Sequence, residues 1–559
     1  MENPITSEDY ADFLIPYQGI VSKLEKSFPG MPYELISLRY ALVHIPLSQI
    51  SSVDLTRFGY RAIPKCYTTI DTEALESTGV SRVRRLPYLS LYGTGTFVII
   101  IDTGIDYTLP IFQNEDGTSR IAWLWDQTVD TGESPRGFPF GTQFSREALT
   151  RNLHTPGQPP LSEDTDGHGT FLAGIAAGKE DLQNGFSGVA PNADLIVIKL
   201  KQAKQFLRDY FLLPEDALLF QESDIMMALT WALTKVADQG PYSVCCGLGT
   251  SQGSHQGDNP LSEYCSSVHS GIGACICSGS GNEGNTQHHA SGRIADSDEP
   301  YTAELKVGAE NPGFSLEIWG NMPYSFTMGL VSPLGEIVPE LPYRLGLSQE
   351  IPFLFDRTVV RIDYLLSDAL TGNQLILVRF QNPTAGIWKI HLRGSGGKDM
   401  PFHMWLPMRG LISPDTFFLT PDPYTTITSP GNTNQLITCV SHDYRNMVNA
   451  ITNSRGFTAS NQIQPTLSFP GENVLGPLPG GRYTRKSGSS IAAATAAGTA
   501  ALFQEWGIVR DNYPQMNGIT IWNLFIKGAD RPDNQFYPNP ENGYGYMNFY
   551  GVFESLLSQ

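Results

Sequence analysis

The chain has 559 residues, of which 41% are hydrophobic and 17% charged, with 55 Gly and 39 Pro. That composition excludes long disorder, and the length excludes a single core, because cores stop growing near about 250 to 300 residues, so two or three domains are expected. Its 37 basic against 56 acidic side chains leave a formal net charge of -19, which repels nucleic acid and anionic membrane surfaces and disfavours both as partners.

Taken in order, Met1 to Tyr10 carries acidic residues and no apolar run, and no later stretch approaches a membrane span, so neither a secretory signal nor a transmembrane segment is expected. The stretch up to about Thr69 reads as a helical beginning followed by the alternating run Tyr40-Ala41-Leu42-Val43-His44-Ile45-Pro46-Leu47, a small α+β unit. From Phe97 the run FVIIIDTGID is a continuous β-branched strand ending in a carboxylate and a Gly turn, as a buried parallel strand does. A helix over His168 to Ala177, a strand over Ala193 to Leu200 and a helix over Ser223 to Val236 continue the βαβ rhythm of a parallel sheet. Between about Thr286 and Ser429 the pattern changes to strict alternation, as in Phe314-Ser315-Leu316-Glu317-Ile318 and Trp388-Lys389-Ile390-His391-Leu392-Arg393, which predicts an inserted antiparallel β-sandwich. The α/β pattern then resumes with a strand over Leu436 to Val440 and a small-residue helix beginning near Ser490.

The seven cysteines are odd in number, and Cys245-Cys246 and Cys275-x-Cys277 lie inside apolar strands. Buried thiols are the preferred reading over a disulfide framework. Metal binding would need four ligands to converge from separate strands without any CxxC spacing. No EF-hand loop or dense carboxylate cluster points to a metal either, and no cofactor is expected.

Three segments place a reactive side chain where an α/β sheet exposes it: Asp102-Thr103-Gly104, Gly167-His168-Gly169-Thr170 and Gly488-Ser489-Ser490-Ile491-Ala492. Each alone is weak. Together they run Asp, His, Ser, one of the chain orders a nucleophilic triad takes. HGTFLAGIAAG, GSGNEGN, FPGENV and KSGSSIAAATAAGTAAL, with FSGVAPNADLIVIKL and SVCCGLG, resemble the segments of the subtilase family from about Val80 to Phe503, the inserted region excepted.

The resemblance implies a subtilisin-like α/β fold: a parallel sheet flanked by helices over 70–285 and 430–559, an α+β prodomain over 1–69, and a jelly-roll-like β-sandwich over 286–429. It implies a serine endopeptidase in which Ser490 attacks the scissile carbonyl, His168 is the general base and Asp102 orients the imidazolium. An imidazole's ordinary pKa of about 6.5 suits that transfer. Asn282 would donate to the oxyanion beside the Ser490 N–H, while Gly247, Leu248, Gly249, Gly279 and Ser280 would line the S1 pocket and pair with an extended substrate strand. The family usually has Thr where Ser489 stands and Pro where Ala494 stands.

The insert and the segment KLKQAKQFLRDYFLLPEDALLFQESDIM further resemble the clostridial spore-germination subtilases, the Csp group. That implies limited proteolysis of a precursor such as a spore cortex-lytic zymogen, a spore-associated location, self-cleavage near Cys66 to Thr69, and a retained prodomain and germination-signalling proteins as partners. The group also holds pseudoproteases, so a catalytically silent signalling scaffold is the alternative; a general digestive peptidase fits less well without an export signal. The insert is expected to lock core and prodomain together more than to present a partner surface.

Overall fold

The computed structural model describes residues 3–50, 59–69, 80–86, 88–295, 299–309, 311–342 and 348–557. Its centre is a nine-stranded mixed sheet. In spatial order the strands are Val448–Asn449, Ile437–Asp443, Ala274–Gly279, Tyr242–Cys246, Phe97–Asp102, Asp194–Lys199, Ile121–Asp126 and Thr142–Ser145, with Leu467–Pro470 also pairing Ile437–Asp443. Phe97–Asp102 is parallel to both its neighbours, and every residue of it is buried, which is why its sequence is continuously apolar. Its pleat sorts those residues. Val98 and Ile100 pack with the helices His168–Ala177 and Ser489–Gln504, while Ile99 and Ile101 pack with Glu222–Val236 and Pro260–His269. The period of two therefore turns Asp102, at the carboxyl end, toward the two helices that begin at His168 and Ser489.

The amino-terminal unit departs from its expectation. Tyr10–Pro16 is a strand paired antiparallel with Tyr40–Pro46, and the helix comes later, at Val21–Ser27. Phe13 and Leu14 face opposite sides of that strand and both are buried, because Phe13 packs in one core with Leu207 and Phe211 while Leu14 joins another with Ile198 and Ile225. Double-sided burial likewise removes the alternation expected of Tyr40–Pro46, whose first six residues are all buried.

Between His289 and Phe418 two antiparallel sheets of six and five strands face one another over a shared apolar core. Trp388, Ile390 and Leu392 enter that core while the residues between them do not, as their alternation predicted. Gly313–Gly320 differs, since it is buried throughout. Phe314, Leu316 and Ile318 pack inward and Trp319 packs outward, against Tyr60 and the amino-terminal unit. The seven cysteines are all free and buried, and burial raises the Cys245 thiol well above its ordinary range and Cys246 to about 12. They are packing residues, not nucleophiles.

Candidate active site

Two turns set the reacting groups. Gly167 (φ 88°) and Gly488 (φ 146°) precede the helices at His168 and Ser489 in backbone conformations that side chains disfavour. The first turn of the His168 helix is then capped from three directions: Asp166 accepts from His168 N–H, the Thr103 hydroxyl from Gly169 N–H, and Asp164 from Thr170 N–H. Asp164 also accepts from the Thr170 hydroxyl at 2.6 Å, from Gly167 N–H at 2.8 Å and from the Thr103 hydroxyl at 2.9 Å. One buried carboxylate thus joins the turn after Asp102 to the helix of His168.

The imidazole sits between the other two groups. His168 Nδ1 lies 2.7 Å from Asp102 Oδ1, and His168 Nε2 lies 3.2 Å from Ser490 Oγ. Asp102 Oδ1 also accepts from Thr103 N–H at 2.8 Å, while Oδ2 has no hydrogen bond among the described residues. It faces Gly247, where an added Cβ would stand 2.4 Å from Leu172, 3.2 Å from His168 and 3.3 Å from Asp102. Gly247 is thus required by the space beneath the His–Asp pair.

Ser489 and Ser490 face different neighbours. Ser489 Oγ accepts from Gly281 N–H at 3.0 Å, and its own N–H donates to Asn282 Oδ1 at 3.3 Å. The carbonyl end of the Asn282 amide is thereby directed at the helix amino terminus. Both Ser490 and Asn282 therefore lie at the amino terminus of this helix, beside the positive end of its dipole.

Leu248–Gly249 pairs antiparallel with Cys66–Thr69, Leu248 opposite Thr69 and Gly249 opposite Thr68. Cys66 and Tyr67 pair on their other side with Gln221 and Phe220. Gln252 Oε1 accepts from Cys66 N–H at 2.9 Å, the Glu222 carboxylate accepts from Lys65 N–H at 3.2 Å, and Glu222 N–H donates to the Lys65 carbonyl at 2.8 Å. Gly279 and Ser280 are buried, as Leu248 and Gly249 are; a Cβ on Gly279 would meet Ser489 at 3.0 Å, and the Ser280 carbonyl accepts from Thr428 N–H. The sequence picked out Leu248–Gly249 and Asn282 but not Asp164, Gln252 or Glu222. Only the acidic residue four before His168, at a helix start, carried a signal.

The family model for the subtilase family matches residues 93–313 and 420–546. Among curated proteins, the subtilisin-like protease SBT2.2 of Arabidopsis thaliana is 32% identical over 125 residues, 19% of this chain and 15% of that protein. An intracellular serine protease of Paenibacillus polymyxa is 50% identical over 44 residues, 8% of this chain and 13% of that protein. These matches thus span under a fifth of each relative. Among solved structures, the CspB protease of Clostridium perfringens superposes with a TM-score of 0.75 at 26% identity, covering 86% of this chain and 98% of that one. Fervidolysin from Fervidobacterium pennivorans, a keratinolytic enzyme related to subtilisin, reaches a TM-score of 0.50 at 13% identity over 98% of this chain and 61% of its own, a likeness of fold alone.

Proposed function

The chain belongs to the subtilase family, and from that premise we propose that it is a serine endopeptidase with Ser490 as nucleophile, His168 as general base and Asp102 as its orienting carboxylate. The observation that carries the reading is the unbroken line from Asp102 through His168 to Ser490 at 2.7 and 3.2 Å. His168 Nε2 takes the Ser490 proton as Oγ adds to the carbonyl, then returns it to the leaving amine; water repeats the cycle on the acyl-enzyme. Negative charge collects on the former carbonyl oxygen. Asn282 and the Ser490 N–H meet it with fixed donors. The test is labelling by a fluorophosphonate probe, expected on Ser490 and lost in Ser490→Ala; a wild-type chain that neither labels nor cleaves peptides would overturn the reading.

Residues 1–69 act as a prodomain on this reading, and the chain cuts itself near Cys66 to Thr69. Support comes from the pairing of Thr68 and Thr69 with Gly249 and Leu248, the hydrogen bonding an extended substrate would use. Intact-mass measurement is expected to find a chain severed there with both parts retained. Limited proteolysis of a protein precursor, such as a spore cortex-lytic zymogen, is the physiological role we infer from the likeness to the CspB protease. Incubation with such a precursor, and sequencing of the new amino terminus, tests it. The strand lying along Leu248–Gly249 also favours a second reading, a germination regulator whose intact triad stays covered; it predicts labelling only after residues 1–69 are displaced.

A further inference from the structure

Glu283 follows Asn282 directly, yet its side chain is 5% exposed and turned into the junction with the sandwich. Its carboxylate accepts from Arg409 N–H at 3.2 and 3.3 Å and from the Thr286 hydroxyl at 3.2 Å, and lies 3.2 Å from His288 Nδ1. Arg409 belongs to the stretch 314–419 that the family model leaves unmatched, and its guanidinium also donates to Asn285 Oδ1 at 2.6 Å. Leu406 N–H donates to the His288 carbonyl at 2.9 Å. The far side of the same loop is held by main chain and one hydroxyl: Ser454 N–H to Gly281, Glu283 N–H to Ser454 Oγ, and Gly284 N–H to Thr452.

We infer that Glu283 is a positioning residue, tying the loop that presents Asn282 to the backbone of the inserted sandwich, so that the insert is a working part of the oxyanion site. The inference rests on the reading of Asn282 as an oxyanion donor. An oxyanion donor acts only if it is fixed at the position where charge develops, and a misplacement of about 1 Å costs on the order of a hundredfold in rate. Asn282 is held at its carbonyl end by Ser489 N–H. Glu283, one residue on, fixes the peptide that carries it from the opposite side. Removing that tie leaves Asn282 in place on average but free to move away from the oxygen as it becomes charged.

The experiment is a double-mutant cycle on the full chain with Glu283→Gln, Asn282→Ala and the pair, read as kcat and KM on a chromogenic peptide amide. Glu283→Gln, nearly isosteric, is expected to lower kcat about tenfold with KM changed less than about twofold, and to cost less than about twofold once Asn282 is alanine. An equal fold-loss in both backgrounds, or none in either, overturns the inference, because a purely structural glutamate acts without reference to Asn282. Hydrogen exchange of 281–289 separates the two claims: if the wild type neither turns over nor labels, the reading of the site falls, and the tie stands only if Glu283→Gln deprotects that loop. Unchanged protection there overturns the tie as well.

Discussion

At the turn before Ile491 two adjacent hydroxyls are sorted by what surrounds them. Ser490 Oγ meets His168, whereas Ser489 Oγ is taken up by Gly281 N–H. Ser490→Ala is expected to abolish probe labelling. Ser489→Ala orphans a buried N–H, costs about 1 to 3 kcal/mol in unfolding free energy, and leaves labelling measurable; the reverse pattern would place the nucleophile at Ser489. Asp164 is a second case. Asp164→Asn presents an amide nitrogen to a cluster made only of donors, so stability is expected to drop by about 2 kcal/mol or more, with kcat falling more than KM rises. Unchanged kcat would confine Asp164 to folding. The line Asp102–His168–Ser490 was legible because each of the three residues sits in a short local motif, DTG, GHGT or GSSIA, that fixes its own turn. Asp164 carried only the signal of an acidic residue at a helix start, since its bond to Thr103 spans 61 residues, and Glu283 carried none, since its partner Arg409 stands 126 residues away and no local pattern announces such a contact.

Among elements, the strand Asp399–Trp405 meets the α/β part of the chain through rings. Trp405 stacks on His255 at 4.1 Å and on His289 and His403 at 5.0 Å each. His289 Nε2 is 3.0 Å from His403 Nδ1, and Asp422 and the Glu283–His288 pair are close by. Burial lowers His255 and His403 to about 4, and His289 well below its ordinary value. The unfolded chain, with imidazoles near 6.5, therefore binds more protons than the folded one between those values. The stabilisation is fully present above about 6.5 and is lost as pH falls toward about 4. Tm is expected to fall over that window, with amides near Trp405 exchanging first. His255→Phe, which keeps a ring against Trp405 and removes a titrating nitrogen, is expected to flatten the fall; a parallel profile would assign it elsewhere. The sandwich itself was readable from alternation, but this junction was not, since histidine in an alternating strand looks the same whether it meets water or a tryptophan. Tyr10–Pro16 was misread for a related reason: covered on both faces, it shows neither strand nor helix periodicity.

For the molecule as a whole, the amino-terminal unit is held from two sides. Its core is continuous with Leu207, Tyr210 and Phe211 of the α/β part of the chain and with Trp319, Leu375 and Leu377 of the sandwich. At the seam lies Glu317. Its carboxylate accepts from the Tyr60 hydroxyl, from Trp319 Nε1 at 2.9 Å and from Gly253 N–H at 3.0 Å, joining three parts of the chain at one buried group. Tyr60 and Glu317 are 257 residues apart, so the expectation that the insert locks the unit down had no residues attached to it. They give it a measurable form. If the segment Tyr60 to Thr69 covers the cleft, each 1.4 kcal/mol taken from its docking raises the uncovered population about tenfold. A hydrogen bond to a charged group is worth about 1.5 to 3 kcal/mol. Tyr60→Phe is thus expected to speed fluorophosphonate labelling of Ser490 by about tenfold or more, while Tm falls. Activation with destabilisation is the signature of a lock on the cleft. Loss of labelling in step with Tm would show instead that the contact serves only to hold the catalytic domain together, and the covering role of the amino-terminal unit would have to be abandoned.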